Sequence, residues 1–244
     1  MKQVKSISNT LLSKISEKVF DVFEMASIPN TFHEWPVISS FFSCLLLLIR
    51  ITVTGSFAFI FLVWNLFLAF IPYWITAWAI KNAAINKNKF KLTAMIAVWL
   101  LFVPNSFYIV TDLFHLYNRD TAPKWFDILM VFSFAWNGIL FGIISIRRVE
   151  IIFLWKRKRS FSLLLVFVVM WLGSFGVYIG RVLRFNSWDV ITNPFSLLSD
   201  ILNMIVHPFA NFYSWGMTFC YSVFMTLLYY SIKKLNESIN SQKP

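Results

Sequence analysis

Six long apolar runs constrain this chain more than any other feature of its sequence, because about 20 apolar residues can cross a bilayer as a helix. The runs lie at 37–54, 56–80, 92–110, 126–146, 161–179 and 209–232. The composition agrees, since 58% of the residues are hydrophobic and only 14% are charged, whereas soluble domains carry roughly 25% charged residues. The sequence therefore predicts an all-α, polytopic membrane helix bundle with about six transmembrane helices.

Residues 1–36 precede the first run and follow a different pattern. Apolar side chains recur there at three- and four-residue steps between lysines, from Val4 to Phe23. This spacing predicts an amphipathic helix on the membrane or on the bundle, and it is not that of a signal peptide. Asn30 and Pro36 predict a break before the first transmembrane helix. Within that helix, Arg50 is expected to extend its side chain to the headgroups.

Polar and small residues inside the runs predict how the helices pack. Pro72 should kink the second helix, and Asn65 should face another helix rather than lipid. Gly138 and Gly142 form a G-x-x-x-G pair in the fourth helix, and three glycines of the fifth have similar spacing: Gly173, Gly176 and Gly180. Such spacings permit close approach of neighbouring helices.

The distribution of basic residues predicts the orientation of the chain. Three connecting or terminal segments are strongly basic: 81–91, 147–159 and the tail 233–244. The remaining connections mix both signs. Basic segments remain on the cytoplasmic side, so both termini are predicted to be cytoplasmic. The net charge of +11 is then explained by contact with anionic lipid headgroups of the bilayer, and no nucleic-acid partner is expected.

Four polar residues follow one another at helical spacing near the end of the third run. Asn105, Tyr108, Asp112 and His115 stand at steps of three, four and three, which places them on one face of a helix. A polar stripe at the end of an apolar helix is expected to line a cavity or to meet polar partners.

A second polar group lies where the fifth run ends. Arg181 and Arg184 follow Tyr178 at helical spacing, and Asn186 and Asp189 come next. The segment 196–206 is predicted to be a short interfacial helix that ends at His207. The six-helix topology brings both polar groups, together with Asp127 and His207, to one membrane boundary opposite the basic segments.

Three interpretations of these residues remain open. In the first, Arg181 and Arg184 form interhelical ion pairs with Asp112, Asp127 or Asp189. In the second, Asp112 and His115 bind a divalent metal together with His207 or Asp127, since catalytic zinc uses about three protein ligands and a water. The two cysteines, Cys44 and Cys220, form no zinc pattern.

The third interpretation is an anion site. Here Arg181 and Arg184 form a fork for a phosphate, and Asn105 and Tyr108 donate hydrogen bonds to it. A lipid headgroup is the natural ligand at this depth. Asp112 with His115 would then act as a general base or a proton relay.

Three segments that carry these residues resemble the DUF1361 family of bacterial multipass membrane proteins. They are 64–72, 102–115 (FVPNSFYIVTDLFH) and 178–189 (YIGRVLRFNSWD). The resemblance extends over roughly residues 41–229 and implies a bacterial cytoplasmic membrane location. It implies no known activity and no catalytic residues.

The sequence thus predicts an uncharacterised membrane protein with an outward-facing polar site for a lipid headgroup or another small ligand. The ligand-binding candidates are Asn105, Tyr108, Arg181, Arg184, Asn186 and Asp189. A membrane-embedded, metal-dependent hydrolase or transferase with Asp112 and His115 as catalytic residues is one alternative. A structural or transport protein held by interhelical ion pairs is the other. An ion channel or pump is disfavoured because few charges lie deep in the runs.

Overall fold

A computed structural model describes residues 30–82, 88–118, 122–154 and 159–241. The predicted amphipathic helix lies outside these residues, as do several basic residues of the connecting segments.

The described residues are helical and contain no strand. We number the α-helices along the chain: α1 Asn30–Thr54, α2 Phe61–Lys81, α3 Lys89–Tyr108, α4 Lys124–Leu154, α5 Arg159–Arg181, α6 Asp189–Thr192, α7 Pro194–Val206 and α8 Phe212–Ser241. A 3₁₀ helix, Ile109–Asn118, continues directly from α3. The predicted break at Pro36 is wrong, because α1 begins at Asn30 and continues through this proline.

Among the described residues, five helical segments are long and apolar enough to cross a membrane: α1, α2, α3 with most of the 3₁₀ helix, α4 and α5. Together they form a polytopic membrane bundle, and many of their large apolar side chains are exposed where lipid would lie. Helix α8 also runs the length of the bundle beside α5, although its composition is less apolar. Its Ser214 donates to Tyr178 at one end and its Lys233 to Glu150 at the other.

We call the end where α1 ends and α2 begins the site end, and the other the basic end. The site end also carries the 3₁₀ helix, the start of α4, the end of α5, and helices α6 and α7. The basic end carries the end of α2, the start of α3, the end of α4 and the start of α5. The short α7 begins with Pro194, a residue suited to the first helical turn.

Glycines of α4 and α5 allow α3 to approach closely, as their spacing predicts. A Cβ atom on Gly138 would lie 2.5 Å from Ile109 Cγ2, and one on Gly142 would lie 2.9 Å from Phe107 Cζ. A Cβ atom on Gly176 would lie 2.4 Å from Pro104 Cγ. These contacts place the end of α3 between α4 and α5, which positions the residues of the candidate site.

A buried ion pair joins α1 to α4 at the site end. Arg50 Nε donates to Asp127 Oδ1 at 2.7 Å, and Nη2 donates to Oδ2 at 3.3 Å. The guanidinium carbon also lies 4.5 Å from the centre of the Phe59 ring. Arg50 is only 1% exposed, so the prediction that it extends to the headgroups is wrong. A carboxylate within the bundle stabilises the guanidinium in place of water.

A second buried cluster holds three helices together at the basic end. Glu150 of α4 accepts hydrogen bonds from Arg147, from Ser162 of α5, and from Tyr229 and Lys233 of α8. The Lys233 Nζ–Glu150 Oε1 distance is 2.6 Å. These bonds explain how a helix as polar as α8 is held against the bundle.

Arg148 is likewise part of the bundle rather than of a basic connecting loop. It lies within α4, is 4% exposed, and donates from Nη1 to the carbonyl of Tyr73 at 3.0 Å.

Candidate functional site

A cavity of about 230 Å³ lies between α2, α3 and α5 at the site end. It is covered by the segment that connects α5 to α7. Its polar lining residues are Asn65, Asn105, Tyr108, Asn186 and Ser187, and the indoles of Trp64 and Trp188 also contribute to it. None of its lining residues carries a charge. Small-molecule pockets commonly measure about 300–1,000 Å³, so this cavity suits a headgroup-sized moiety.

Asn105 and Ser187 join the helical wall of the cavity to its cover. Asn105 Nδ2 donates to Ser187 Oγ at 2.9 Å and to the Phe102 carbonyl at 3.2 Å. Both amide hydrogens of Asn105 are therefore used, and Oδ1 is the amide atom that can accept from a ligand. The Ser187 hydroxyl accepts from Asn105 and retains its own hydrogen for donation.

Asn65 of α2 and Tyr108 of α3 contribute further polar groups to the lining. Asn65 Nδ2 donates to Asp112 Oδ2 at 2.7 Å, so its Oδ1 is the atom that can accept from a ligand. The prediction that Asn65 faces another helix is confirmed. The Tyr108 hydroxyl lies 3.5 Å from Arg181 Nη1, and its hydrogen can be donated into the cavity. The cavity therefore offers acceptors and donors together.

Asp112 and Arg181 form an ion pair behind Asn65 and Tyr108. Arg181 Nη1 is 3.4 Å from Asp112 Oδ1, and Arg181 Nη2 donates to the Thr111 carbonyl at 2.9 Å. Asp112 is only 1% exposed. This is one of the ion pairs that the sequence suggested, whereas Asp127 pairs with Arg50 instead.

Arg184 does not join Arg181 in a fork. Helix α5 ends at Arg181, and Arg184 has a φ of 63°, in the left-handed region. This conformation turns the chain out of the helix, so the helical spacing of the two arginines no longer holds. Arg184 is exposed and makes no hydrogen bond or ion pair with any residue of the described ranges.

Asp189 stabilises the covering segment locally. Its Oδ2 accepts from the Asn186 backbone N–H at 2.6 Å, and its Oδ1 accepts from Thr192 Oγ1 at 2.9 Å. The bond from the Asn186 backbone, with smaller contributions from the side chains, lowers the pKa of Asp189. Asn186 lines the cavity, but Asp189 does not.

The two histidines of the predicted site, His115 and His207, lie apart from the cavity. His115 is exposed, and its ring packs edge-on against Phe61 at a centroid distance of 5.2 Å. His207 is exposed at the end of α7. Within the described ranges, no three His, Cys, Asp or Glu side chains form a group that could hold a metal ion. Asp112, His115 and His207 are thus not brought together as metal ligands.

The helical face predicted for four polar residues is interrupted. The α-helical period stops at Tyr108, and the 3₁₀ helix that follows has about three residues per turn. As a result Asn105 and Tyr108 line the cavity, Asp112 is buried behind it, and His115 is exposed. Ser187 and the two tryptophans of the lining were not predicted, because their role depends on how the covering segment folds back.

The chain belongs to the DUF1361 family, whose model matches residues 64–228 and is described as a protein of unknown function. The matched region includes the whole cavity lining. No curated protein and no solved structure matches the chain.

Proposed function

We propose that this membrane protein binds a neutral, hydroxyl-bearing group in the cavity at the site end. The observation that carries the proposal is the uncharged lining, in which amide and hydroxyl side chains border one small space. A hydroxyl group both donates and accepts, so it can bond to Asn105 Oδ1 and to Ser187 Oγ at once. A phosphodiester group has only acceptors, and an ammonium ion has only donors.

The charges near the cavity favour binding over catalysis. A general base must reach the proton that it removes, yet Asp112 is occupied by Asn65 and Arg181 behind the wall. His115 is not a lining residue. We therefore favour a hydroxyl-binding cavity over the phosphate fork and over the metal centre.

The orientation of the protein is part of this proposal. The basic end carries Lys81, Lys89, Lys91, Lys233 and Lys234, so the positive-inside rule places it in the cytoplasm. The cavity then opens at the outer side of the plasma membrane, and both termini are cytoplasmic.

Native mass spectrometry of protein purified from its host membrane tests the proposal. We expect a bound molecule on the wild type and on His115→Ala, whose side chain lies outside the cavity. Asn105→Leu should reduce its occupancy strongly, and the milder Ser187→Ala should reduce it less. Equal occupancy in all four proteins, or no bound molecule in any, would overturn the proposal.

A further inference from the structure

The lining of the cavity changes from polar to apolar along the axis of the bundle. On α3, Asn105 lies nearer the site end than Leu101, by about 6 Å at 1.5 Å per helical residue. Helix α2 runs the opposite way, and here too the polar Asn65 is nearer the site end than Leu68. Both helices thus place their amides towards the membrane boundary and their leucines towards the bilayer centre. A lipid has the same order of head and chain.

Helix α7, which follows the covering segment, has apolar side chains on its outer surface. Helix α7 has 13 residues, about 20 Å of helix, which is too short to cross a hydrocarbon core of about 30 Å. Its Leu197 lines the cavity, whereas Phe195 and Leu198 are 85% and 53% exposed. A short helix with apolar residues on its outer surface is suited to lie in the membrane interface.

Access from the membrane follows from this placement. Trp64 and Val190 line the cavity and are also about half exposed, at 52% and 44%. These side chains connect the cavity to the apolar surface that faces lipid. A lipid could reach the cavity beside these two side chains without leaving the membrane.

We propose that the ligand is an amphiphile of the leaflet at the site end, with a neutral hydroxyl head and a hydrocarbon chain. The head bonds to Asn65, Asn105 and Ser187. The chain begins beside Leu68, Leu100 and Leu101 and leaves the cavity towards the lipid. The inference rests on the proposed function and adds the chain, the source and the direction of entry.

Photo-crosslinking with a defined probe tests the added part. The full-length protein is placed in phosphatidylcholine nanodiscs that contain a small fraction of a monoacylglycerol with a diazirine in its chain. We expect the main crosslink on the α3 peptide that contains Leu100 and Leu101. Leu101→Trp fills the deep end of the cavity and should reduce this crosslink several-fold. Val98→Trp is the matched control, because Val98 lies three residues away on α3, is 49% exposed and does not line the cavity.

The other possible outcomes contradict the amphiphile inference alone, or contradict it together with the proposed function. Crosslinks that are spread evenly over lipid-facing helices, or that Val98→Trp reduces as much as Leu101→Trp, would overturn the amphiphile inference. A water-soluble molecule found on the purified protein, without a chain crosslink at α3, would leave the proposed function standing alone. If the experiments found neither a bound molecule nor a local crosslink, both proposals would be contradicted. Leu68→Trp fills the cavity from α2 and replaces Leu101→Trp if that variant does not fold.

Discussion

Arg181 and Asp112 form an ion pair directly behind the uncharged wall of the cavity, with Nη1 and Oδ1 3.4 Å apart. The pair joins the last residue of α5 to the 3₁₀ helix that follows α3. Because each charge is directed at the other, neither residue lines the cavity. The ion pair therefore lies behind a neutral lining without forming part of it.

Loss of Arg181 should destabilise the protein rather than remove a ligand contact. In Arg181→Met the buried carboxylate of Asp112 has no cation, and removal of one member of such a pair costs about 3–5 kcal/mol. We expect the lower part of this range, because Arg181 is 16% exposed. Adding Asp112→Asn should restore much of the loss. Thermal unfolding in detergent measures both variants, and equal stability of Arg181→Met and wild type would contradict the role.

The Arg50–Asp127 pair provides a second stability test. Arg50→Met should cost about 3–5 kcal/mol, because it leaves Asp127 buried and uncompensated. The double variant Arg50→Met with Asp127→Leu should be more stable than the single one, since hydrophobic replacement of both partners is often neutral. Unfolding midpoints in detergent give the order of stability of the single variant, the double variant and the wild type. If the single variant matched the wild type, then the pair would not hold α1 against α4.

Gly176 should not tolerate a methyl group. The added Cβ in Gly176→Ala would lie 2.4 Å from Pro104 Cγ, and such overpacking costs about 1–3 kcal/mol. Gly173→Ala is the matched control on the same helix, because its nearest neighbour would be Val103 Cγ1 at an ordinary 3.6 Å. The control should be neutral or slightly stabilising. The measurement is the unfolding midpoint of each variant. Equal midpoints for Gly176→Ala and Gly173→Ala would contradict the close contact between α3 and α5 at Gly176.

Glu150 should be needed for α8 to dock. In Glu150→Gln the side chain keeps its shape but loses the charge that compensates Arg147 and Lys233. Removal of one member of a buried pair costs about 3–5 kcal/mol, and we expect the lower part of this range because the two cations are 29% and 17% exposed. Glu237→Gln is the control, because the Lys234–Glu237 pair is exposed and such pairs contribute little. Unfolding midpoints and protease sensitivity of α8 distinguish the two variants. Similar behaviour of both would contradict a structural role for the buried cluster.

Features that depend on local spacing could be predicted from the sequence. The apolar runs predicted the long helices, and glycine spacing predicted the contacts of Gly138 and Gly142 with α3. Asn65 was expected to face another helix because an amide is costly in lipid. The Arg181–Asp112 pair was one of several ion pairs that the topology allowed, since it brings the ends of α3 and α5 to one side.

Features that depend on tertiary geometry could not be predicted. Arg50 and Asp127 are 77 residues apart, and nothing in their local sequence selects one as the partner of the other. The change from α to 3₁₀ geometry at Ile109 moved Asp112 and His115 off the face of Asn105. The left-handed conformation of Arg184 separated it from Arg181 in the same way. Ser187 enters the cavity only because the covering segment folds back over α3.

An experimental density map of the protein in a lipid nanodisc tests the central claim most directly. The account predicts non-protein density in the cavity, with a hydroxyl-sized feature within hydrogen-bond distance of Asn105 Oδ1 and Ser187 Oγ and an elongated part beside Leu101. A cavity filled by ordered water alone, or closed by its own side chains, would contradict it.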